Sequence, residues 1–362
     1  MNTGLHIPRY LSSAALFKMA AVLLFAISGL TVVTPLLAQT QRPDNRLLFW
    51  SRRPSGKAVY ALDTQRHLVG RLLSLPADLL VLAPPAYSSD ARILSLETLS
   101  PDAHLGIVVL QADGGPGYRS TPGVEDRMAR VSPDGQQVAF FSNRNGSWQP
   151  YVMNSNGSDL QRITMPDPAQ SARSLLWSPD QRWLMLRTWQ SPGPSSYWLM
   201  DVVHGTSLPL PDVAELGREL AWSPDGAHIA FRTARDHNVE IYVYDVATGT
   251  AANITLNPAT DFQPAWSPDS RHLVFVSDRA GRGDLYTVDT DCIHQLAGCG
   301  TAARRVTWGG AWGPVWSPDG QSITYYTHAA SGVELYAIDA DGGDARLISA
   351  LREDWMFLGW AE

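Results

Sequence analysis

The sequence predicts an all-β propeller, with seven four-stranded blades as the first reading, six as the alternative, and the ring closed by the C-terminal strand. Three observations lead there. A Ser-Pro-Asp turn, usually preceded by Trp, returns at a nearly fixed spacing. The returns use up almost the whole chain of 362 residues. The composition carries 25 Pro, 29 Gly and 13 Trp, the mixture expected of many short strands joined by tight turns.

The repeat is anchored by Trp177–Asp180, Trp222–Asp225, Trp266–Asp269 and Trp316–Asp319, each reading WSPD. A fifth copy has Val131 in the Trp position and ends at Asp134, and weaker copies end at Asp90 and Asp44. Steps between these Asp positions run from 44 to 50 residues, the period of a propeller blade. Within a unit, an apolar run follows the turn (Val138–Phe141, Leu184–Leu186, Ile229–Phe231, Leu273–Val276, Ile323–Tyr326). A second run lies beyond a polar turn (Tyr151–Met153, Tyr197–Met200, Ile241–Tyr244, Leu285–Val288, Leu335–Ile338). A short piece such as Asn253-Ile254-Thr255 closes the unit. The runs are nearly continuous in apolar character, as strands covered on both faces require.

The turn has a physical basis. Pro presets φ, Ser and Asp side chains bond local backbone, and Gly leaves the turn without a steric penalty. Asp134, Asp180, Asp225, Asp269 and Asp319 are therefore structural, and Trp177, Trp222, Trp266, Trp316 and Trp360 are expected to fill the space between blades. Trp360 ends a strand with no turn after it, whereas Pro43-Asp44 begins a unit with no strand before it. The last strand is thus expected to complete the first blade, which leaves the ring no open edge.

Residues 1–38 read as a signal peptide or an N-terminal membrane anchor, and residues 39–362 as the propeller. Arg9 and Lys18 precede an uncharged apolar run over 19–38, and Pro35 and Ala38 resemble a processing site. The chain is therefore expected to be exported, periplasmic or extracellular, and to touch membrane only through 19–38 if that segment is retained. Its removal would move the formal charge from −7 to −9. That balance argues against a nucleic-acid partner. Export makes a disulfide between Cys292 and Cys299 the expected state of the two cysteines.

The pattern WSPDG-x2-IAF-x-S-x-R-x-G…IYV-x-D…G…LT, over roughly residues 42–362, resembles the TolB-type β-propeller repeat. The resemblance implies a platform for protein binding in the exported compartment of bacteria. Similar propellers precede the catalytic domains of prolyl-oligopeptidase-like and tricorn-like peptidases. TolB itself carries a small α/β domain ahead of its propeller, for which the repeats leave no room. The peptidases carry G-x-S-x-G, which does not occur.

No catalytic constellation, metal site or cofactor motif emerges from the remaining residues. His228 and His272 share one repeat position, and Asp339-x-Asp341-Gly342-Gly343-Asp344 reads as a turn. One column stands out, four residues before the repeat aromatic. It reads Arg127, Arg173, Arg218 on three successive units and Phe262, Trp312, Met356 on the next three, with Asp261 and Trp355 beside it. Such a column would put an Arg arc and an apolar arc around the channel mouth. The expected function is a monomeric, non-enzymatic scaffold that binds a protein or peptide there. The alternative is a propeller hydrolase or lyase, or the substrate-gating propeller of a peptidase system.

Overall fold

A computed structural model describes residues 46–51, 58–63, 68–74, 80–82, 85–100, 104–111, 117–120, 123–165, 171–189, 195–210, 219–291, 302–329, 332–351 and 355–361. They form seven antiparallel sheets arranged as blades, with the strand order rising in the sequence. The first blade contains β1 (Arg46–Ser51), β2 (Ala58–Asp63) and β3 (Leu68–Ser74). The second contains β4 (Leu80–Val81), β5 (Ala86–Tyr87), β6 (Ile93–Leu99), β7 (Leu105–Gln111) and β8 (Tyr118–Arg119). The third runs β9 (Asp126–Val131), β10 (Gln137–Ser142), β11 (Gln149–Asn154), β12 (Gln161–Arg162). The fourth runs β13 (Ser171–Trp177), β14 (Trp183–Trp189), β15 (Ser195–Asp201), β16 (Ser207–Pro209). The fifth runs β17 (Leu220–Trp222), β18 (His228–Thr233), β19 (Glu240–Asp245), β20 (Thr250–Asn253). The sixth runs β21 (Asp261–Trp266), β22 (His272–Ser277), β23 (Asp284–Asp289), β24 (Arg304–Arg305). The seventh runs β25 (Trp312–Trp316), β26 (Ser322–Ala329), β27 (Gly332–Asp339), β28 (Arg346–Leu351). The last strand, β29 (Trp355–Ala361), pairs with β1, opposing Trp360 to Leu47. The ring is therefore closed as the repeat predicts, with seven blades.

The core lies between blades. Each hydrophobic cluster takes residues from two adjacent sheets, as where Phe231 and Trp222 meet Tyr197 and Met185. Leu47 and Leu62 meet Leu335 where the last blade meets the first. Trp177, Trp222, Trp266 and Trp316 are buried in these interfaces. Three of them also reach across: the indole N–H groups of Trp177, Trp266 and Trp316 donate to the carbonyls of Arg130, Ala221 and Ala265 at 3.0, 3.1 and 3.2 Å. Each acceptor sits one residue before the repeat position of the preceding blade, held by Val131, Trp222 and Trp266 in turn. His228 and His272 stack near the Trp266 and Trp316 rings, with centroids 6.0 and 6.3 Å apart.

Six described Ser-x-Asp turns share one bonding scheme. The Ser hydroxyl donates to the Asp carboxylate at 2.5–2.7 Å and accepts the amide five residues after the Ser. The residue after Asp adopts positive φ, at Gly135, Gly226 and Gly320 but also at Ala91, Gln181 and Ser270. Three turns thus hold an L-residue where Gly is the relaxed choice.

The innermost strands carry bulges. Register slips in β9, β13, β21 and β25, and where β29 meets β1. In the second blade the innermost strand is broken outright: β4 and β5 both pair with β6. Pro85 stands between them, in the position of Pro264 and Pro314 in the sixth and seventh blades. Pro is tolerated on these strands because they are edges facing the channel. Residues 1–38, Cys292 and Cys299 lie outside the described residues.

Two outcomes follow for stability. Trp222 has a buried indole nitrogen with no partner among the described residues, whereas Trp266 makes its bond. Trp266→Phe should therefore cost about 1 kcal/mol more than Trp222→Phe in denaturant unfolding, the net worth of one hydrogen bond. Asp201 is 1% exposed and accepts from Arg182, from the His204 ring and from the amides of Val203 and His204. Burial pushes its carboxyl up, but those bonds outweigh burial and hold it far below the ordinary range. The unfolded chain takes up this proton near pH ~4, and the folded chain only in stronger acid. Its contribution is complete above pH ~4 and is lost as pH falls through the depressed value. Asp201→Asn should be less stable at neutral pH and lose stability less steeply below pH ~4, measured as the urea midpoint against pH.

Candidate channel mouth

The mouth lies where the innermost strands begin, and buried carboxylates shape its loops. Asp284, fully buried at the start of β23, accepts from Arg305 at 2.6 Å, from the Thr307 hydroxyl at 3.2 Å and from the amides of Gly309 and Gly310 at 2.9 and 3.2 Å. Thr307 accepts the amide of Leu285 in turn. Gly309 and Gly310 both have positive φ, so the loop can wrap the carboxylate without strain. What the loop displays is Trp308, 67% exposed, with the Arg305 guanidinium 5.6 Å from its ring centre.

The preceding blade repeats the device. Glu240, buried at the start of β19, accepts from the Thr255 hydroxyl, the Asn238 amide group and the Asn257 backbone amide. Thr255 accepts the amide of Ile241. The residue displayed here is Leu256, 54% exposed. Two neighbouring loops thus present a large apolar side chain at the same structural position. Next to them, Phe262 and Trp312 pack across the blade boundary as a tilted pair, with ring centroids 5.4 Å apart and planes 38° to each other. Gly283 seats the Trp312 ring, since a Cβ there would lie 3.1 Å from it and from Val276.

The predicted column is only partly a surface. Arg127 stacks its guanidinium on the Trp148 ring of its own blade at 3.9 Å. Two acids beside the column pair with arginines further along their own blades. Asp126 is held by Arg144 at 3.2 Å and Glu219 by Arg232 at 3.5 Å. Asp261, placed beside the mouth by its position in the sequence, is fully buried. Arg279 pairs with it at 3.2 Å while lying over Phe275 and Tyr286, so its carboxylate is turned into the blade. Burial is the largest influence on Asp261 and pushes its carboxyl up, against the lowering effect of Ser277 and Arg279. Ser277 and Arg279 belong to the S-x-R element of the repeat, as do Ser142 and Arg144. Arg173 occupies the extra position between Ala172 and Ser174 in β13, and Trp355 and Met356 lie on β29 opposite Ser51 and Trp50. For these three only the backbone is described, and Arg218 lies outside the described residues.

Behind the column a hydrogen-bond relay links three blades. The Glu219 carboxylate accepts the amide of Gln263, and the Gln263 side-chain oxygen accepts the amide of Gly313, both at 2.8 Å. Gln263 and Gly313 have φ near +55°, which turns each amide toward the preceding blade. Among the described residues no three His, Cys, Asp or Glu side chains converge to hold a metal.

Column reading missed Trp308 and Leu256. Their signal was present: each directly follows the Thr of the closing piece, Ile254-Thr255 or Val306-Thr307.

The TolB beta propeller domain family matches residues 174–355 of the chain. Among solved structures, TolB from Acinetobacter baumannii is 16% identical over 84% of this chain and 79% of its own, with a TM-score of 0.48. Dipeptidyl peptidase 4 from Porphyromonas gingivalis is 13% identical over 81% of this chain and 48% of its own, with a TM-score of 0.58. Oligogalacturonate lyase from Vibrio parahaemolyticus is 12% identical over 67% of this chain and 74% of its own, with a TM-score of 0.52. At such identities the likeness is one of fold.

Gly283→Ala should displace the Trp312 ring while leaving the blade folded. The expected readout is a changed near-ultraviolet circular dichroism spectrum with an unchanged far-ultraviolet one.

Proposed function

The chain belongs to the TolB β-propeller family, and on that premise we propose that it is an exported, monomeric, non-enzymatic scaffold that binds a protein partner across the channel mouth. The observation that carries this reading is the pair of exposed apolar side chains, Trp308 and Leu256, on loops fixed by buried carboxylates. A tryptophan two-thirds exposed on a rigid loop gains little from its own fold and much from a partner that covers it. Buried hydrogen bonds pre-order the loops, so little further ordering is needed on binding. Phe262 and Trp312, packed together beside them, extend the apolar side.

The basic side of the partner site is assigned to Arg127, Arg173 and Arg218, with acidic groups of the partner as their counterpart. Trp355 and Met356 belong to the apolar side in this reading, and Asp261 to the frame beneath it. Export rests on the basic start and apolar run of residues 1–38.

The test is affinity capture from the envelope extract of the native cell with three proteins: wild type, Trp308→Ala/Leu256→Ser, and Arg173→Glu. A partner retained by wild type should be lost by the double variant and weakened by the charge reversal, with melting temperatures held. Equal recovery by all three would refute the assignment of the mouth.

A further inference from the structure

The opposite end of the channel has a different chemistry. A cavity of about 540 Å³ lies where the innermost strands run out into the Ser-Pro-Asp turns. This size is within the range of roughly 300–1,000 Å³ that holds small ligands. Its wall is made of Tyr87, Trp177, Trp266 and Trp316 with prolines of the repeat turns. One residue before each repeat aromatic the wall shows Ala86, Leu176, Ala265 and Val315 on four blades. On the third blade the same position holds Arg130, the only charged residue among the described residues of the lining.

Arg130 lines this space and is itself an exposed residue. Burial pushes its guanidinium pKa down, with Glu97 acting the other way. Its hydrogen bond among the described residues is from one terminal nitrogen to the Ala129 carbonyl at 2.9 Å, and none of their carboxylates lies within 4 Å of it. A permanently charged fork of donors therefore stands in an apolar chamber with most of its donors unspent. A carboxylate satisfies such a group through a charge-assisted, forked pair of hydrogen bonds.

The wall also limits what can carry that carboxylate. The indole N–H groups of Trp177, Trp266 and Trp316 are already donated to the neighbouring blades. A chain passing through would bury peptide groups with few partners, which is costly. A chain end buries fewer of them and brings its own negative charge.

We propose that this end of the channel binds the C-terminal carboxylate of a peptide ending in apolar residues. Arg130 takes the carboxylate in a forked pair of hydrogen bonds, and Tyr87 with the indole faces encloses the last side chains. The site is separate from the mouth and does not depend on the partner assigned there.

Calorimetric titration of the mature chain with acetyl-Leu-Leu-Leu and its C-terminal amide tests this. The acid should bind at least about tenfold more tightly than the amide, the scale of one charge-assisted pair. Arg130→Leu should erase that preference, Arg130→Lys should keep part of it, and Trp308→Ala should leave it whole. Because Arg130→Leu could fail to fold, its melting curve is measured alongside, and the acid-against-amide comparison on the unaltered protein stands alone. Equal binding of acid and amide, no binding at millimolar peptide, or a preference that survives in folded Arg130→Leu would overturn the proposal. Acetyl-Leu-Asp-Leu-amide or octanoate binding as tightly as the acid would overturn the chain-end assignment.

Discussion

Closure of the ring is the constraint on which everything else rests. Each blade is a sheet apolar on both faces, four-stranded but for the divided inner strand of the second, and such a sheet is stable only between two others. A row of blades would leave two faces and an edge exposed. Pairing β29 with β1 removes the edge, and packing Leu335 against Leu47 and Leu62 covers the last faces. The first and last described strands therefore meet in one sheet, and the contacts most remote in sequence complete the first blade. Their sequence separation gives the first blade the highest loop-closure cost of the seven.

The ends of the ring are built by different rules. At the turn end, short local bonds between Ser, Asp and backbone amides repeat almost unchanged from blade to blade. Such turns are set by residues within six positions of one another, so they survive variation elsewhere. At the mouth the organising groups are buried acids, Asp126, Glu240, Asp261 and Asp284, whose partners lie 15–26 residues away in most cases. Local turns give the ring its regularity, and the longer-range carboxylates give each loop its individual shape. Variation that changes a mouth loop can therefore leave the blade intact.

The architecture was legible because its signal is periodic: the spacing of the turns counted seven blades, and Trp360 without a following turn located the closure. The sites were less legible. A column counted back from the aromatic assumes a regular strand, and the bulges shift or re-aim residues at that point. Asp261 sits beside the counted position but turns inward to Arg279. Trp308 lies outside the column because the loop, not the strand, carries it. Arg130 stands three residues closer to the aromatic than Arg127, where the other blades show small or aliphatic residues that attract no notice. The second blade's divided inner strand was hidden too, since a weak repeat copy reveals its period and not the break at Pro85.

The bulges themselves explain why the mouth holds its form. Met128, Gln263 and Gly313 occupy the same place in three blades, three residues before the repeat aromatic, with φ of 54°, 53° and 58°. Glycine reaches that region freely, while Met and Gln do so at a cost of order 1 kcal/mol or more. At Gly313 a side chain is also excluded by space, because a Cβ would lie 2.5 Å from the Tyr326 ring. At Gln263 the side chain is retained and used: its amide is captured by Glu219 and its own oxygen captures Gly313. The left-handed backbone is what aims those amides sideways, from one blade to the next. Local strain is thus exchanged for bonds that run around the ring rather than along a sheet. They tie the innermost strands of three blades together at the mouth.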